Sequence, residues 1–240
     1  MSSLYIVIPA YNEAENIEMV INDWYPIVEK YNDSNGSRLI IVNDGSKDNT
    51  YEILCEIAKT KPLLVVLNKK NGGHGSAVLF GYKYAIKMGA DYIFQTDSDG
   101  QTVPEEFYAF WNLRKDYDAI IGSRPNRKDG IFRLFVEKVL CSILLLIFGV
   151  RISDSNAPFR LMRRELLDKY IRRLPEDYFL PNVMLTTFFS YYNEKIKFIN
   201  ITFECRKAGN NSINIPKIVR IGINSVKDFW NIRKNMTKNI

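Results

Sequence analysis

Asp97 and Asp99 stand two residues apart in the stretch Phe94-Gln95-Thr96-Asp97-Ser98-Asp99-Gly100-Gln101. Two ionised carboxylates at that spacing repel each other unless a divalent cation or a set of hydrogen-bond donors lies between them. A hard cation suits such a pair, and so does an ordinary solvated turn closed by Gly100. Three other stretches carry polar groups of comparable density. Pro9-Ala10-Tyr11-Asn12-Glu13 combines an aromatic face with a carboxylate. Asn43-Asp44-Gly45-Ser46 holds a carboxylate able to accept from a nucleobase N–H or a ribose hydroxyl, or to close an Asx turn with Gly45. Asn71-Gly72-Gly73-His74-Gly75 is glycine-rich and contains the only histidine.

Each of these stretches follows an apolar, β-branched run. Residues 4–8, 38–42, 63–67 and 90–94 read as strands buried on both faces, as in a parallel sheet. Between them the apolar residues recur at helical spacing: Ile17, Val20, Ile21, Trp24 and Ile27, then Tyr51, Leu54, Cys55 and Ala58. Asn12 is the expected N-cap of the first helix, with Glu13 and Glu15 in its first turn. Strand and helix alternate four times with short links, which specifies a mainly parallel sheet with helices on both faces and right-handed crossovers. In such α/β folds ligands bind at the carboxyl ends of the strands. All four polar stretches lie there, so they are expected to line one cleft. A fifth strand is expected over 118–122, a helix over 132–148, a helix over 181–192 and a last strand over 196–205, with 154–162 returning to the sheet.

The chain has 240 residues, 46% hydrophobic and 25% charged, with a formal net charge of +6. That is a folded globular composition with a preference for anionic ligands or surfaces. Cys55, Cys141 and Cys205 have no metal-ligand spacing and point to a reducing compartment. The start shows no basic segment leading into an apolar run, so a signal peptide is not expected. The longest apolar run, 139–150, falls short of the ~20 residues a spanning helix needs. One domain over 1–205 and a basic helical extension over 206–240 is the expected division. A dinucleotide-binding GxGxxG is missing after the first strand, as is a Walker lysine motif.

Together the four motifs resemble those of the family 2 glycosyltransferases, which have the GT-A fold. The matching residues are Ile8 to Glu13, Val42 to Ser46, Asn71-Gly72-Gly73 and Asp97 to Gln101, in the family's order and spacing. The resemblance implies that Pro9, Tyr11, Glu13, Asp44 and Gly73 hold a nucleotide sugar, with Asp97 near its ribose and sugar. It places Mg2+ or Mn2+ on Asp99, with Gln101, at the diphosphate. The family often has a lysine just after the second glycine of the third motif. His74 stands there, as a ligand for a hydroxyl or phosphate or as a surface residue.

The second half resembles the polyprenyl- and dolichyl-phosphate glycosyltransferases. Gly122-Ser123-Arg124, a basic stretch, an apolar helix ending at Gly149, and Asp154 through Phe159-Arg160 carry that resemblance, with Pro158 in place of a usual glycine. It implies that Arg124 and Arg133 grip an acceptor phosphate and that the helix from 132 lies against a membrane. Arg206 to Ser212 resembles the family's R-x-x-G-x-S loop, with Arg206 on a phosphate. A phosphate acceptor is already an anion and needs guanidinium clamps more than a base. A glycan hydroxyl would need a carboxylate base, for which Asp154 comes first and Glu176 and Asp177 next.

The expected activity is therefore inverting, metal-dependent transfer from a nucleotide-diphosphate sugar. The expected acceptor is a polyprenyl phosphate at the cytoplasmic face of the cell membrane, with the glycan hydroxyl as alternative. A nucleotide-sugar-binding protein without turnover is the non-enzymatic alternative. In the basic C-terminal section, Ile218, Val226, Phe229 and Trp230 interleave with lysines and arginines. An amphipathic helix of that kind lies on an anionic membrane, packs on the catalytic domain or pairs with a second copy. Nucleic acid is not an expected partner, since no recognition motif accompanies the charge.

Overall fold

A computed structural model of the chain describes residues 2–32, 36–125, 131–204 and 215–237, of which 131–133, 215–221, 223–224 and 237 are described by backbone alone. The first half runs β1 (Leu4–Ala10), α1 (Ile17–Lys30), β2 (Arg38–Asn43), α2 (Thr50–Ala58), β3 (Leu64–Asn68), α3 (His74–Lys87) and β4 (Tyr92–Gln95). A short 3-10 turn, Pro104–Glu106, leads into α4 (Phe107–Leu113) and β5 (Ala119–Ser123). The second half adds α5 (Ile131–Phe148), β6 (Arg160–Arg163), α6 (Arg164–Ile171), α7 (Pro181–Tyr191), β7 (Ile196–Asn200) and α8 (Ile215–Thr237).

Among the described residues, seven strands form one sheet in the order β3-β2-β1-β4-β6-β5-β7. All pairings are parallel except those of β6, which runs antiparallel to both β4 and β5. β1 is buried throughout, and its alternate side chains feed two separate cores. Leu4, Ile6 and Ile8 pack with Trp24 of α1, Leu54 of α2 and Phe110 of α4 on one face. Tyr5 and Val7 pack with Val78 of α3, Leu167 of α6 and Phe188 of α7 on the other. This is why the central strands read as unbroken apolar runs: neither face meets water.

Several expectations are corrected. Asn12 is not the cap of the first helix. Its backbone is left-handed (φ 54°), and α1 begins after Asn16. Asn12 instead ties β1 to β2: its N–H donates to Ser46 Oγ at 3.0 Å, and Lys47 N–H donates to its Oδ1 at 2.8 Å. The last strand stops at Asn200 rather than 205. Beyond it the pairing is reduced to an isolated bridge between Phe203 and Thr102. The segment returning at 160 forms an antiparallel strand, and the helix α6 directly after it was not expected. Arg206, Cys205 and the R-x-x-G-x-S loop lie outside the described residues, as does the side chain of Arg133. Among the described residues, no helix is long and apolar enough to cross a membrane.

Candidate functional site

The carboxyl ends of β1, β2 and β4 and the amino end of α3 enclose a cleft of about 490 Å³. Pro9, Tyr11, Glu13, Asp44, Gly73, Asp97 and Asp99 all line it, so the structure brings together these residues from the four polar stretches, while Gln101 is not part of the lining. Tyr11 is 42% exposed and presents its ring to solvent at the rim. Glu13 is buried: Asn16 Nδ2 donates to its Oε2 at 2.7 Å, and its own N–H donates to Thr50 Oγ1 at 2.9 Å.

Asp44 closes the floor. Its Oδ1 accepts from Lys69 Nζ at 2.7 Å and Gly72 N–H at 3.0 Å, and its Oδ2 accepts from Gly73 N–H at 2.7 Å. Its backbone carbonyl accepts from Asn71 Nδ2 at 2.8 Å. One buried carboxylate therefore ties the second motif to the third across 25 to 29 residues of sequence. The Asx turn with Gly45 is not what this carboxylate makes. Gly45 matters for another reason. Its φ is +64°, and a Cβ there would lie 2.7 Å from Asn71 N, so only glycine lets the two loops meet.

The Asp97–Gln101 loop is closed from below. Thr96 Oγ1 and Thr102 Oγ1 share a 2.7 Å hydrogen bond, and Gln101 N–H donates to Asp99 Oδ1 at 3.2 Å. Gln101 is buried, and its Nε2 donates to the Glu204 carbonyl at 2.7 Å, so its amide anchors the 201–204 segment. His74 Nε2 lies 3.0 Å from Asp97 Oδ1. Desolvation disfavours the imidazolium, but the carboxylates of Asp97, Asp99 and Asp44 outweigh it and raise the His74 pKa. Desolvation likewise works against the Asp97 anion, and His74, Arg124 and Arg160 hold its pKa below the usual value nonetheless.

Of the candidates for the acceptor, Arg124 and Asp154 meet directly. Arg124 leaves the end of β5 and is 7% exposed. Its Nε and Nη2 donate to Asp154 Oδ2 and Oδ1 at 2.7 and 2.9 Å, a bidentate pair, and its N–H donates to Oδ2 at 3.2 Å. Burial disfavours the guanidinium charge, but Asp154 outweighs it and raises the pKa. The Phe203 ring lies 5.0 Å from the guanidinium carbon. Glu176 and Asp177 are engaged with α3: Glu176 pairs with Lys83, and Asp177 accepts from Ser76 Oγ at 3.2 Å.

One residue in this region received no role from spacing. Arg160 is fully buried on β6, the antiparallel strand beside β4. Its donors go to the Ala157 carbonyl, to the Asn182 carbonyl at 3.1 Å and to Thr186 Oγ1 at 3.3 Å. An arginine inside an apolar strand was the available signal, because a guanidinium is seldom buried without a purpose.

Among the described residues, no three His, Cys, Asp or Glu side chains gather to hold a metal. Asp97 and Asp99 both face the cleft and bring only oxygen donors. That set fits a hard ion completed by water and ligand phosphates, and does not fit a closed zinc site.

The fold as a whole superposes on solved GT-A glycosyltransferases. Glucosyl-3-phosphoglycerate synthase from Mycobacterium tuberculosis, solved with Mn2+ and UDP-glucose, superposes with a TM-score of 0.70 at 19% identity, over 96% of this chain and 79% of that one. S. aureus TarS with UDP-GlcNAc superposes at 0.60 and 18% identity, over 91% and 65%. The fold is GT-A. Residues 5–171 match the profile of glycosyl transferase family 2, and the chain belongs to that family. The chain is 31% identical to the UDP-N-acetylglucosamine–dolichyl-phosphate N-acetylglucosaminyltransferase of Methanococcus voltae, over 68% of this chain and 70% of that protein. It is 26% identical to the undecaprenyl-phosphate 4-deoxy-4-formamido-L-arabinose transferase of Pectobacterium atrosepticum over 92% of its own length, and spans 65% of that relative.

Proposed function

We propose that this protein transfers a sugar, with inversion, from a nucleoside-diphosphate sugar to a polyprenyl phosphate at the cytoplasmic face of the cell membrane. The observation that supports it most is a buried guanidinium, Arg124, held bidentately by Asp154 and close enough to Asp97 to favour its anion, where it could meet an acceptor anion. The two relatives above are both named for lipid-phosphate acceptors. In this reading Tyr11 offers its ring to the nucleobase, while Pro9, Glu13 and the Asp44-braced loop shape the nucleoside pocket. Gly73, with φ +87° and open space around it, lets the backbone approach the diphosphate. Arg206 would reach the same group.

Asp99 would hold Mg2+ or Mn2+, which supplies positive charge to the departing diphosphate. Gln101 would act there through Asp99, whose Oδ1 accepts its N–H. Asp97, kept ionised by His74, Arg124 and Arg160, would orient sugar hydroxyls. An acceptor phosphate oxygen forms the new bond to C1 as the bond from C1 to the diphosphate oxygen breaks on the opposite face. The nucleoside diphosphate leaves, and no proton has to be removed from the nucleophile. Arg124 Nη1, the terminal nitrogen that Asp154 does not take, and Arg133 would position that phosphate. A hydroxyl acceptor would need a free base, whereas both oxygens of Asp154 face the Arg124 guanidinium.

The membrane part of the reading rests on α5 and α8. Large exposed apolar side chains number nine among the described residues, and six lie on these two helices. Phe135, Leu146 and Trp230 are 63%, 85% and 54% exposed, with Lys138, Lys227 and Lys234 exposed beside them. Apolar and basic side chains on one surface suit an anionic bilayer. The direct test incubates the protein with radiolabelled sugar nucleotides, Mn2+ and a membrane lipid extract. A lipid product that releases its sugar in mild acid supports the proposal. Label found only in acid-stable glycan would overturn it.

A further inference from the structure

α5 is almost wholly apolar, and Glu137 is its only acid. A carboxylate on such a helix is costly unless its oxygens are used. Glu137 Oε1 accepts from Ser155 N–H at 2.8 Å, from Ser155 Oγ at 2.8 Å and from the Cys141 thiol at 3.5 Å. Ser155 is fully buried and follows Asp154 directly. Asp154 in turn holds Arg124 by both carboxylate oxygens. Glu137 is 18 residues from Ser155, and Arg124 is 30 from Asp154, so tertiary packing alone connects the three segments.

We infer that Glu137 is a positioning residue for acceptor binding: it pins the 154–155 turn to α5, so that Asp154 presents the Arg124 guanidinium at a fixed angle. The turn has no regular secondary structure of its own. Without Glu137 its two Ser155 donors lose their partner, and Asp154 is free to swing with the loop. Arg124 would then keep its charge but lose its direction, and the bidentate geometry that sets direction is what makes arginine selective for oxyanions. The donor side does not share this dependence. Asp44, Lys69 and the Gly72–Gly73 loop brace one another without reference to α5. The chain of contacts does reach the surface that carries Phe135 and Leu146, because Glu137 sits on the same helix.

The inference rests on the proposed polyprenyl phosphate acceptor, and the test separates the two. Farnesyl phosphate in detergent probes the acceptor side, and UDP with Mn2+ probes the donor side, both by calorimetry. Glu137→Leu is expected to weaken farnesyl phosphate binding tenfold or more while UDP affinity stays within twofold. Glu137→Gln, which keeps an acceptor oxygen, is expected to stay within threefold of the wild type on both. Hydrogen exchange read on the Ser155 and Arg124 amides is expected to rise at least tenfold in Glu137→Leu and to stay unchanged at Gly72 and Gly73. If Glu137→Leu does not fold, Ser155→Ala removes one of the bonds and is expected to shift farnesyl phosphate binding in the same sense by a smaller factor. Equal loss of both ligands, or unchanged exchange at Ser155 and Arg124, overturns the inference. A wild-type protein that ignores farnesyl phosphate overturns the acceptor reading, and the exchange measurement still decides the role of Glu137.

Discussion

Replacing Asp44 should destabilise the protein far more than a turn residue would. The carboxylate is 2% exposed and receives three donors, Lys69 Nζ and the N–H groups of Gly72 and Gly73. In Asp44→Asn the oxygen can still serve Lys69 and Gly72. The new amide NH2 then faces Gly73 N–H, donor against donor, where the bond is now 2.7 Å. A charge-assisted bond is worth about 1.5–3 kcal/mol, and an orphaned buried donor costs about 1–3 kcal/mol. These overlap, so the expected loss is roughly 2–4 kcal/mol for Asp44→Asn and more for Asp44→Ala, which strands the Gly72 and Gly73 N–H groups and leaves Lys69 Nζ only the Lys70 carbonyl. For a chain of this size each kcal/mol moves Tm by about 2–4 °C, which gives a fall of roughly 4–16 °C. Thermal unfolding followed by circular dichroism reads it directly. The same scan with UDP and Mn2+ should show a smaller ligand-induced rise than the wild type, because the Gly72–Gly73 wall is released. A Tm within 2 °C of wild type would refute the reasoning and return Asp44 to the role of a local turn residue.

Asp99→Ala is expected to abolish sugar transfer while the far-ultraviolet spectrum and Tm persist; wild-type turnover in that variant would remove Asp99 from the metal assignment. Leu146→Glu together with Trp230→Glu should sharply reduce sedimentation with vesicles containing anionic lipid, with added salt weakening the wild type as well. Equal sedimentation of both proteins would count against the α5–α8 surface. Glu194 accepts from Lys169 Nζ at 2.6 Å and from the Tyr170 hydroxyl. Burial works against its anion, but those two partners prevail and hold its pKa below the model-peptide 4.5. The folded state then binds this proton less readily than the unfolded one. The stability it contributes is present above about pH 4.5 and is lost as pH falls through the lower folded value. Glu194→Gln is therefore expected to lower Tm at pH 6 and to narrow the gap from wild type toward pH 3; a constant gap would disprove the linkage.

The lining of the cleft was legible because it is written locally. A buried parallel strand needs an unbroken apolar run, and the residue after that run stands at the carboxyl end of the sheet wherever the strand sits. Tyr11, Asp44, Gly73, Asp97 and Asp99 could therefore be assigned to one cleft from their positions after four runs. Strand 196–205 was overextended for the opposite reason: Ile201 and Phe203 are apolar and buried, yet they pack as separate residues beyond the ladder. Asn12 has the chemistry of a helix cap, but its left-handed backbone serves the neighbouring loop instead.

What the amino-acid order determined by itself was the alternation of strands and helices, the polar stretches at the strand ends and the paired aspartates. Periodicity and turn chemistry act over a few residues and survive any packing. Only the tertiary structure decided that Asp44 would be spent on the Gly72–Gly73 loop and Gln101 on Glu204, and that Asp154 would be held by Arg124 and Ser155 by Glu137. Each of those partnerships joins residues 18 to 103 positions apart. The preference of a buried carboxylate is for any good donor, and which donor arrives is set by how the helices cover the sheet.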